Sequence, residues 1–143
     1  MKKIFTFLAF VMLLSLSCFA QIEKGWRVTV KVHLPKGDTS KVQVFASNMH
    51  KTSIDTIRAE RVKGNTYYFK LWCSDHFFIA TSDKYETALK HVTPVGMDEA
   101  FVDLYLKTPR KEPVKSSAEE KKKLLELMME NYPYPELLNL IKD

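Results

Sequence analysis

The side chains that could do chemistry in this 143-residue chain are scattered along it. The histidines show no His-x-x-x-His spacing, and no cysteine pair accompanies them, so the pattern favours surface histidines over a zinc site. The four histidines are His33, His50, His76 and His91.

The sequence also lacks a recognisable arrangement of catalytic residues. Asp75-His76 could belong to a hydrolytic triad, but no serine lies in a glycine-flanked elbow, and neighbours on a strand point to opposite faces. The four glycines are dispersed and leave no phosphate-cradling loop. Asp98-Glu99 and Glu119-Glu120 suit a turn and a helix start. We therefore expect no catalytic residues, no metal and no cofactor.

An aromatic stretch offers the first candidate for ligand binding. Tyr68, Lys70 and Trp72 would share one face of a strand, so the two rings could stack on a sugar or a peptide. The alternative is that both faces of this strand are buried, one in the core and one beneath C-terminal helices. The large area of aromatic rings favours this alternative.

The C-terminal tail offers a second candidate. Leu124, Leu125, Met128 and Met129 form a broad apolar helix face, which suits an adaptable surface for a protein partner. Docking onto the chain's own sheet explains the same pattern equally well.

A third candidate is Thr56. Asp55-Thr56-Ile57 resembles the acceptor at which some Gram-negative bacteria O-glycosylate exported proteins. The resemblance implies an exposed Thr56 and a mass excess on the native protein.

The N-terminus predicts export. Lys2 and Lys3 precede an apolar run, 4–14, that is followed by small residues and is too short to cross a bilayer. We expect residues 1–20 to be a signal peptide cleaved after Ala20, with a lipid anchor at Cys18 as the alternative. The protein would then reside in the periplasm, at the outer membrane of a Gram-negative bacterium, or outside the cell.

The remaining cysteine and the charge add little. Cys73 has no partner in the processed chain, so it is expected to be a small buried packing residue. The net charge of +5 falls when Lys2 and Lys3 are removed, and acidic and basic residues are mixed along the rest. No nucleic-acid surface is indicated.

The elements that must position these residues are mostly strands. Apolar and polar residues alternate from Trp26 to Leu34 and from Ala100 to Leu106, and turn residues such as Lys63-Gly64-Asn65 separate the candidates. About seven short strands predict an all-β, antiparallel two-sheet sandwich over residues 21–106. The candidate strands are 26–34, 42–46, 53–62 (the weakest), 66–72, 76–81, 85–92 and 100–106.

The chain changes character after Leu106. Residues 107–116 read as an exposed linker, and Ser117 to Glu120 match a capping box that opens a helical tail, 117–143. Pro133 should stop the first helix, and Pro135 fits the first turn of a second.

The order of these pieces resembles the carboxypeptidase regulatory-like domains, which are small transthyretin-like sandwiches of exported bacterial proteins. Three segments carry the resemblance: the opening strand 28–34, the turn and aromatic strand 64–69, and residues 78–87, where Lys84 stands at the family's usual glycine. N-terminal sandwich domains of exported thiol-disulfide proteins look similar too. The resemblance implies a structural or binding role without catalytic residues.

The sequence therefore predicts an exported, non-enzymatic binding or assembly module whose partner is an envelope protein or a glycan. A carbohydrate-binding module is the first alternative, and a small secreted hydrolase or inhibitor is the second.

Overall fold

The computed structural model describes residues 25–50, 53–72, 74–93, 98–113 and 116–131. The signal segment, Cys73 and the second predicted helix lie outside the described residues. The described strands and helix are β1 (Trp26–His33), β2 (Gln43–Ser47), β3 (Met49–His50), β4 (Ser53–Ile54), β5 (Ile57–Arg58), β6 (Arg61–Lys63), β7 (Thr66–Leu71), β8 (His76–Thr81), β9 (Ala88–Val92), β10 (Glu99–Tyr105) and α1 (Ser117–Glu130).

The strands form two four-stranded sheets. The first sheet has the order β10-β1-β7-β6 and the second β5-β2-β8-β9, while β3 and β4 pair as a short ribbon. The weak candidate 53–62 is divided among β4, β5 and β6, because the chain passes from the second sheet to the first between Arg58 and Arg61. This crossing explains why the segment lacks a single alternating pattern.

One strand pair corrects the prediction of an antiparallel fold. β10 runs parallel to β1, with Val30 opposite Val102, whereas β1 and β7 are antiparallel, with Val28 opposite Phe69. β10 enters the first sheet from β9 of the second sheet and not through a hairpin. A crossover connection of this kind permits parallel pairing.

The two sheets share one hydrophobic core. Every second residue of β1 and β10 is buried, and the core also takes Val44 and Phe78 from the second sheet. Trp26 and Phe69 both approach Phe78 edge to face, with ring centroids 6.1 and 5.6 Å away. Such edge-to-face contacts add to the stabilisation from burial alone.

β8 is buried on both faces, unlike the alternating strands. Its residues from His76 to Ala80 are all buried. Phe78 faces the shared core, while Phe77 and Ile79 form a second cluster with Met128 of α1. The continuous apolar run of β8 therefore reflects a strand that is covered by the first sheet on one side and by a helix on the other.

The start of α1 lies where the sequence predicts it, but the capping residue differs. Ser116 is the N-cap, and its hydroxyl accepts a hydrogen bond of 3.2 Å from the Glu119 amide. The predicted capping box assigned these roles to Ser117 and Glu120. Glu120 instead lies 3.5 Å from the Arg110 guanidinium, so its carboxylate faces the preceding segment rather than the cap amide.

Two loops meet at the Asp38 carboxylate. Its side chain is 8% exposed and accepts hydrogen bonds from Ser40, from the Lys84 ammonium at 2.6 Å and from the Tyr85 hydroxyl. The hydrogen bond from Lys84, followed by those from Ser40 and Tyr85, holds the pKa of Asp38 well below its usual range. This ionised carboxylate ties the connection after β1 to the one after β8.

The described residues of the predicted linker, 107–113 and Ser116, are non-helical and mostly exposed. The segment is also bonded to the second of these loops: the Arg110 amide donates to the Lys84 carbonyl, and the Glu86 amide donates to the Thr108 carbonyl. These backbone hydrogen bonds fix the chain at Thr108 and Arg110, just after β10. None of the helices described has the length and apolar character needed to cross a membrane.

Candidate functional site

The outer face of the first sheet carries exposed aromatic and cationic side chains. These side chains lie opposite the core, on the alternate positions of β10, β1, β7 and β6. We call this surface the open face; its residues are Glu99, Phe101, Asp103 and Tyr105 from β10, Arg27, Thr29, Lys31 and His33 from β1, Thr66, Tyr68 and Lys70 from β7, and Arg61 and Lys63 from β6.

The strand register places two aromatic rings on either side of a small residue. Thr29 pairs with Phe101 on one side and with Tyr68 on the other, and Arg61 follows next to Tyr68. Neighbouring strands lie about 4.8 Å apart, so the backbones of Phe101 and Tyr68 are about 10 Å apart. The small Thr29 side chain between them leaves a trough.

This trough is a cleft of about 550 Å³ that opens to solvent. Arg27 and Thr29 lie along its floor, with Phe101 on one wall and Tyr68 and Arg61 on the other. The volume is in the range of small-ligand sites in proteins.

The two aromatic walls differ in character. Phe101 is 76% exposed, which leaves its ring free to contact a ligand. Tyr68 is half-buried, and the Arg61 guanidinium lies 4.1 Å from its ring centroid. Stacking of this kind favours one position of the guanidinium by about 0.5–1 kcal/mol, and its N–H donors stay available in its plane.

The carboxylates of β10 are paired with β1. Glu99 lies 2.7 Å from Arg27, and Asp103 lies 2.7 Å from His33. The exposed Arg27–Glu99 ion pair adds little stability but compensates the charge of Glu99, and His33 contacts Asp103 through a hydrogen bond.

Several cations of the open face have no such partner. Lys31, Lys63, Lys70 and Arg61 have no carboxylate within 4.0 Å among the residues that the structure describes. The face therefore has an excess of positive charge.

Of the three ligand-binding candidates predicted on the aromatic strand, the structure places two at the cleft and one outside it. Tyr68 and Lys70 line the cleft, and Lys70 extends over Gly25, where a Cβ atom would lie 3.2 Å from the Lys70 Cγ and Cε atoms. Trp72 follows the end of β7, is 70% exposed and lies outside the cleft. Helix α1 contacts the second sheet, so among the described elements it leaves the open face uncovered.

The tail candidates contact the chain's own sheet. Met128 is fully buried against Phe77 and Ile79, and Leu124 is partly buried on the same cluster. Leu125 and Met129 are half-buried. Of the two alternatives for this helix, docking on the chain's own sheet accounts for Met128 and Leu124.

The histidines correct one expectation, since His76 is buried and not on the surface. Its Nδ1 donates to the Ser74 carbonyl at 2.6 Å, and its ring contacts Trp26. Burial lowers the pKa of His76 and of His91, while Asp75 raises both to a smaller extent. Asp75 itself lies 4.0 Å from His91.

The part of the chain that is described contains no group of three or more histidine, cysteine, aspartate or glutamate side chains placed to hold a metal ion. Thr56 is exposed in the loop between β4 and β5.

Two residues of the cleft were missed by the sequence analysis. Phe101 alternates with buried Ala100 and Val102, so the pattern already implied an outward phenylalanine. Arg61 lies in the weakest strand candidate, and its contact with Tyr68 depends on a hairpin register that the turn at Gly64 could have suggested. No family model matches the chain, and a search of curated proteins finds no significant match.

Proposed function

We propose that the protein is a non-enzymatic binding module that takes its ligand on the open face. The observation that carries this proposal is the cleft above Thr29, with the free Phe101 ring on one side and the Tyr68–Arg61 stack on the other. Ligand clefts are commonly lined by aromatic side chains together with a few polar groups, and the residues around Thr29 have this composition.

Residues 1–20 form the export signal in this proposal, so binding takes place in the periplasm, at the outer membrane or outside the cell. The fold is a transthyretin-like sandwich of the carboxypeptidase regulatory-like kind. Two four-stranded sheets around one core support this classification. The parallel pairing of β10 with β1 is a departure from a fully antiparallel sandwich.

The second candidate function is assembly with an envelope protein through α1. Leu125 and Met129 support it, because they remain half-exposed on a helix that packs on the second sheet through Met128 and Leu124. The open face offers a larger and more polar surface than these two side chains, and we therefore place ligand binding there.

An array of soluble polysaccharides and defined peptides tests the proposal. The protein should bind at least one probe, and Phe101→Ala should weaken that binding, whereas Lys122→Gln on the exposed surface of α1 should not. Binding that survives Phe101→Ala and Tyr68→Ala but is lost in Leu125→Ser would assign recognition to the helix. Hydrolysis of a probe that depends on His76 or Asp75 would instead favour a secreted hydrolase.

A further inference from the structure

We infer that the ligand of the open face is an acidic polysaccharide, bound by its sugar rings to Phe101 and by its carboxylates to Arg61 and Lys70. This inference rests on the proposed function and names the ligand class of the same face.

The backbone beneath the cleft has no hydrogen-bonding capacity to spare. β1, which forms the floor, is paired with β10 on one side and with β7 on the other. An extended peptide that adds to a sheet needs an unpaired strand edge. A ligand lying across this face must therefore be recognised by side chains alone.

The Phe101 side chain provides a flat apolar platform. Its ring is 76% exposed and stands next to Thr29, which leaves the space above the cleft floor open. The face of an aromatic ring carries partial negative charge and attracts the polarised C–H groups on the flat side of a sugar ring. Phe101 is therefore suited to a saccharide unit lying against it.

The opposite wall provides the anion contact. The Arg61 guanidinium is held 4.1 Å from the Tyr68 ring centroid, and Lys70 lies on the same wall. A guanidinium binds a carboxylate through two parallel N–H donors, and fixing it in advance reduces the ordering cost of binding. A uronate whose ring lies on Phe101 would direct its carboxylate toward this wall.

The cations recur along the sheet, which favours a polymer over a single sugar. Lys70, Arg61 beside Tyr68, and Lys63 beside Thr66 lie in successive outward rows of the first sheet. Two residues of a strand advance about 7 Å, so positive charges repeat at that interval. A linear chain with one carboxylate per sugar also carries its negative charges at regular intervals, so it can contact more than one of these cations.

One side chain acts against this ligand. Glu60 lines the cleft beside Arg61, is exposed, and has no cation within 4.0 Å among the described residues. Its carboxylate would repel a uronate. Neutralising it should therefore strengthen binding, a result that a merely apolar site would not give.

Native gel electrophoresis through immobilised polymers tests the inference, using protein expressed with its own N-terminal segment and purified as the cell processes it. The probes are polygalacturonate, neutral dextran and poly-L-glutamate. Polygalacturonate should retard the protein more strongly than either of the others, and the retardation should decrease with salt because the contacts are ionic.

Single substitutions measure the ionic and the aromatic contributions to binding separately. Arg61→Gln should weaken polygalacturonate binding about tenfold, as expected for loss of a charged hydrogen-bonding pair. Phe101→Ala should weaken it about fivefold or more through loss of the aromatic contact. Glu60→Gln should strengthen it, and Lys122→Gln, which removes the same charge from α1, should leave it unchanged. Urea midpoints for each variant verify that the protein is folded.

Three outcomes would overturn the inference. Preferential binding of dextran that Phe101→Ala abolishes would leave the open face as the binding site but exclude an acidic ligand. Equal binding of poly-L-glutamate that is insensitive to Phe101→Ala would indicate an acidic peptide. Absence of polygalacturonate retardation in the folded protein would exclude the acidic polysaccharide, and if no polymer or array probe depends on Phe101, the proposed function fails with it.

Discussion

Both sheets bury an apolar inner face in one core, but among the described elements only the second sheet has a helix packed on its outer face. On the second sheet, Phe77 and Ile79 point outward and are covered by Met128 of α1. On the first sheet, Thr29, Tyr68 and Phe101 occupy neighbouring outward positions. The described helix does not cover them.

Under the proposed function, this difference separates the residues that stabilise the fold from those that bind a ligand. Apolar residues on the covered face are removed from water by the chain itself, so they stabilise the fold. The open face has polar and charged residues at most positions, so it can remain in water. Phe101 is the exception, and an exposed phenylalanine among cations is what makes this face a candidate site.

The largest expected effect compares one outward residue from each sheet. Ile79→Ala should lower the free energy of unfolding by about 2–5 kcal/mol, because it leaves a cavity between β8 and α1. Thr29→Ala should change it by less than about 1 kcal/mol. Urea denaturation of both variants measures the difference. Equal losses would show that the two outer faces contribute alike to stability and would remove the basis of the comparison.

The helix itself provides the next test. Met128→Ala should cost about 2–5 kcal/mol, whereas Met129→Ala, at a half-buried position, should cost less than about 1 kcal/mol. The urea midpoints of these adjacent substitutions report whether α1 stays on the second sheet in solution. If Met128→Ala has no effect, the helix does not dock there, and the partner-binding interpretation of the tail gains support.

Acid should destabilise the protein through two histidines of the second sheet, His76 and His91. His76 is buried and His91 is partly buried, and burial lowers the pKa of both, so the unfolded chain, with a pKa of 6.5 for each, binds protons that the native state does not. Stability should be unaffected by these groups above about pH 7 and should decrease as the pH falls through 6.5 toward the lowered native pKa values.

His76→Asn checks this assignment. Asparagine can still donate to the Ser74 carbonyl but does not titrate near neutral pH, so the variant should lose less stability than the parent between pH 7 and pH 5. Urea midpoints across this range provide the measurement. An unchanged slope would place the acid sensitivity elsewhere in the molecule.

A smaller effect tests the start of α1. Ser116→Ala should cost about 1 kcal/mol because it removes the oxygen that accepts from the Glu119 amide. Ser117→Ala, one residue later and exposed inside the helix, should be neutral or slightly stabilising. The reverse result would restore Ser117 as the cap. Thermal or urea unfolding of the two variants distinguishes these cases.

The sequence predicted the first sheet better than the second because its strands alternate. β1 and β10 each show a buried residue at every second position, and this period is legible without any knowledge of their neighbours. Their parallel pairing was not predictable, since it depends on how the chain crosses between the two sheets and not on the pattern within either strand. β8 has no alternation, and its composition alone could not say that a helix covers its second face.

The sequence predicted only some residues of the candidate site, and the reason is related. Tyr68 and Lys70 were found because they alternate within one strand, but Phe101 and Arg61 join them only through pairing with β1 and β7. Sequence patterns within a strand identify which residues face outward. They do not identify which strands lie side by side, and the cleft exists only across strands.

The smallest expected effect on stability concerns the residue that defines the open face. Phe101→Ala should change the free energy of unfolding by less than about 1 kcal/mol, because a ring that is 76% exposed contributes little burial and the substitution costs only some strand propensity. The same substitution should cause the clear loss of ligand binding described above. A residue placed there for folding would show the opposite pattern, with a lower urea midpoint and unchanged binding. Measuring both quantities on this one variant therefore decides whether the exposed phenylalanine serves the fold or the ligand.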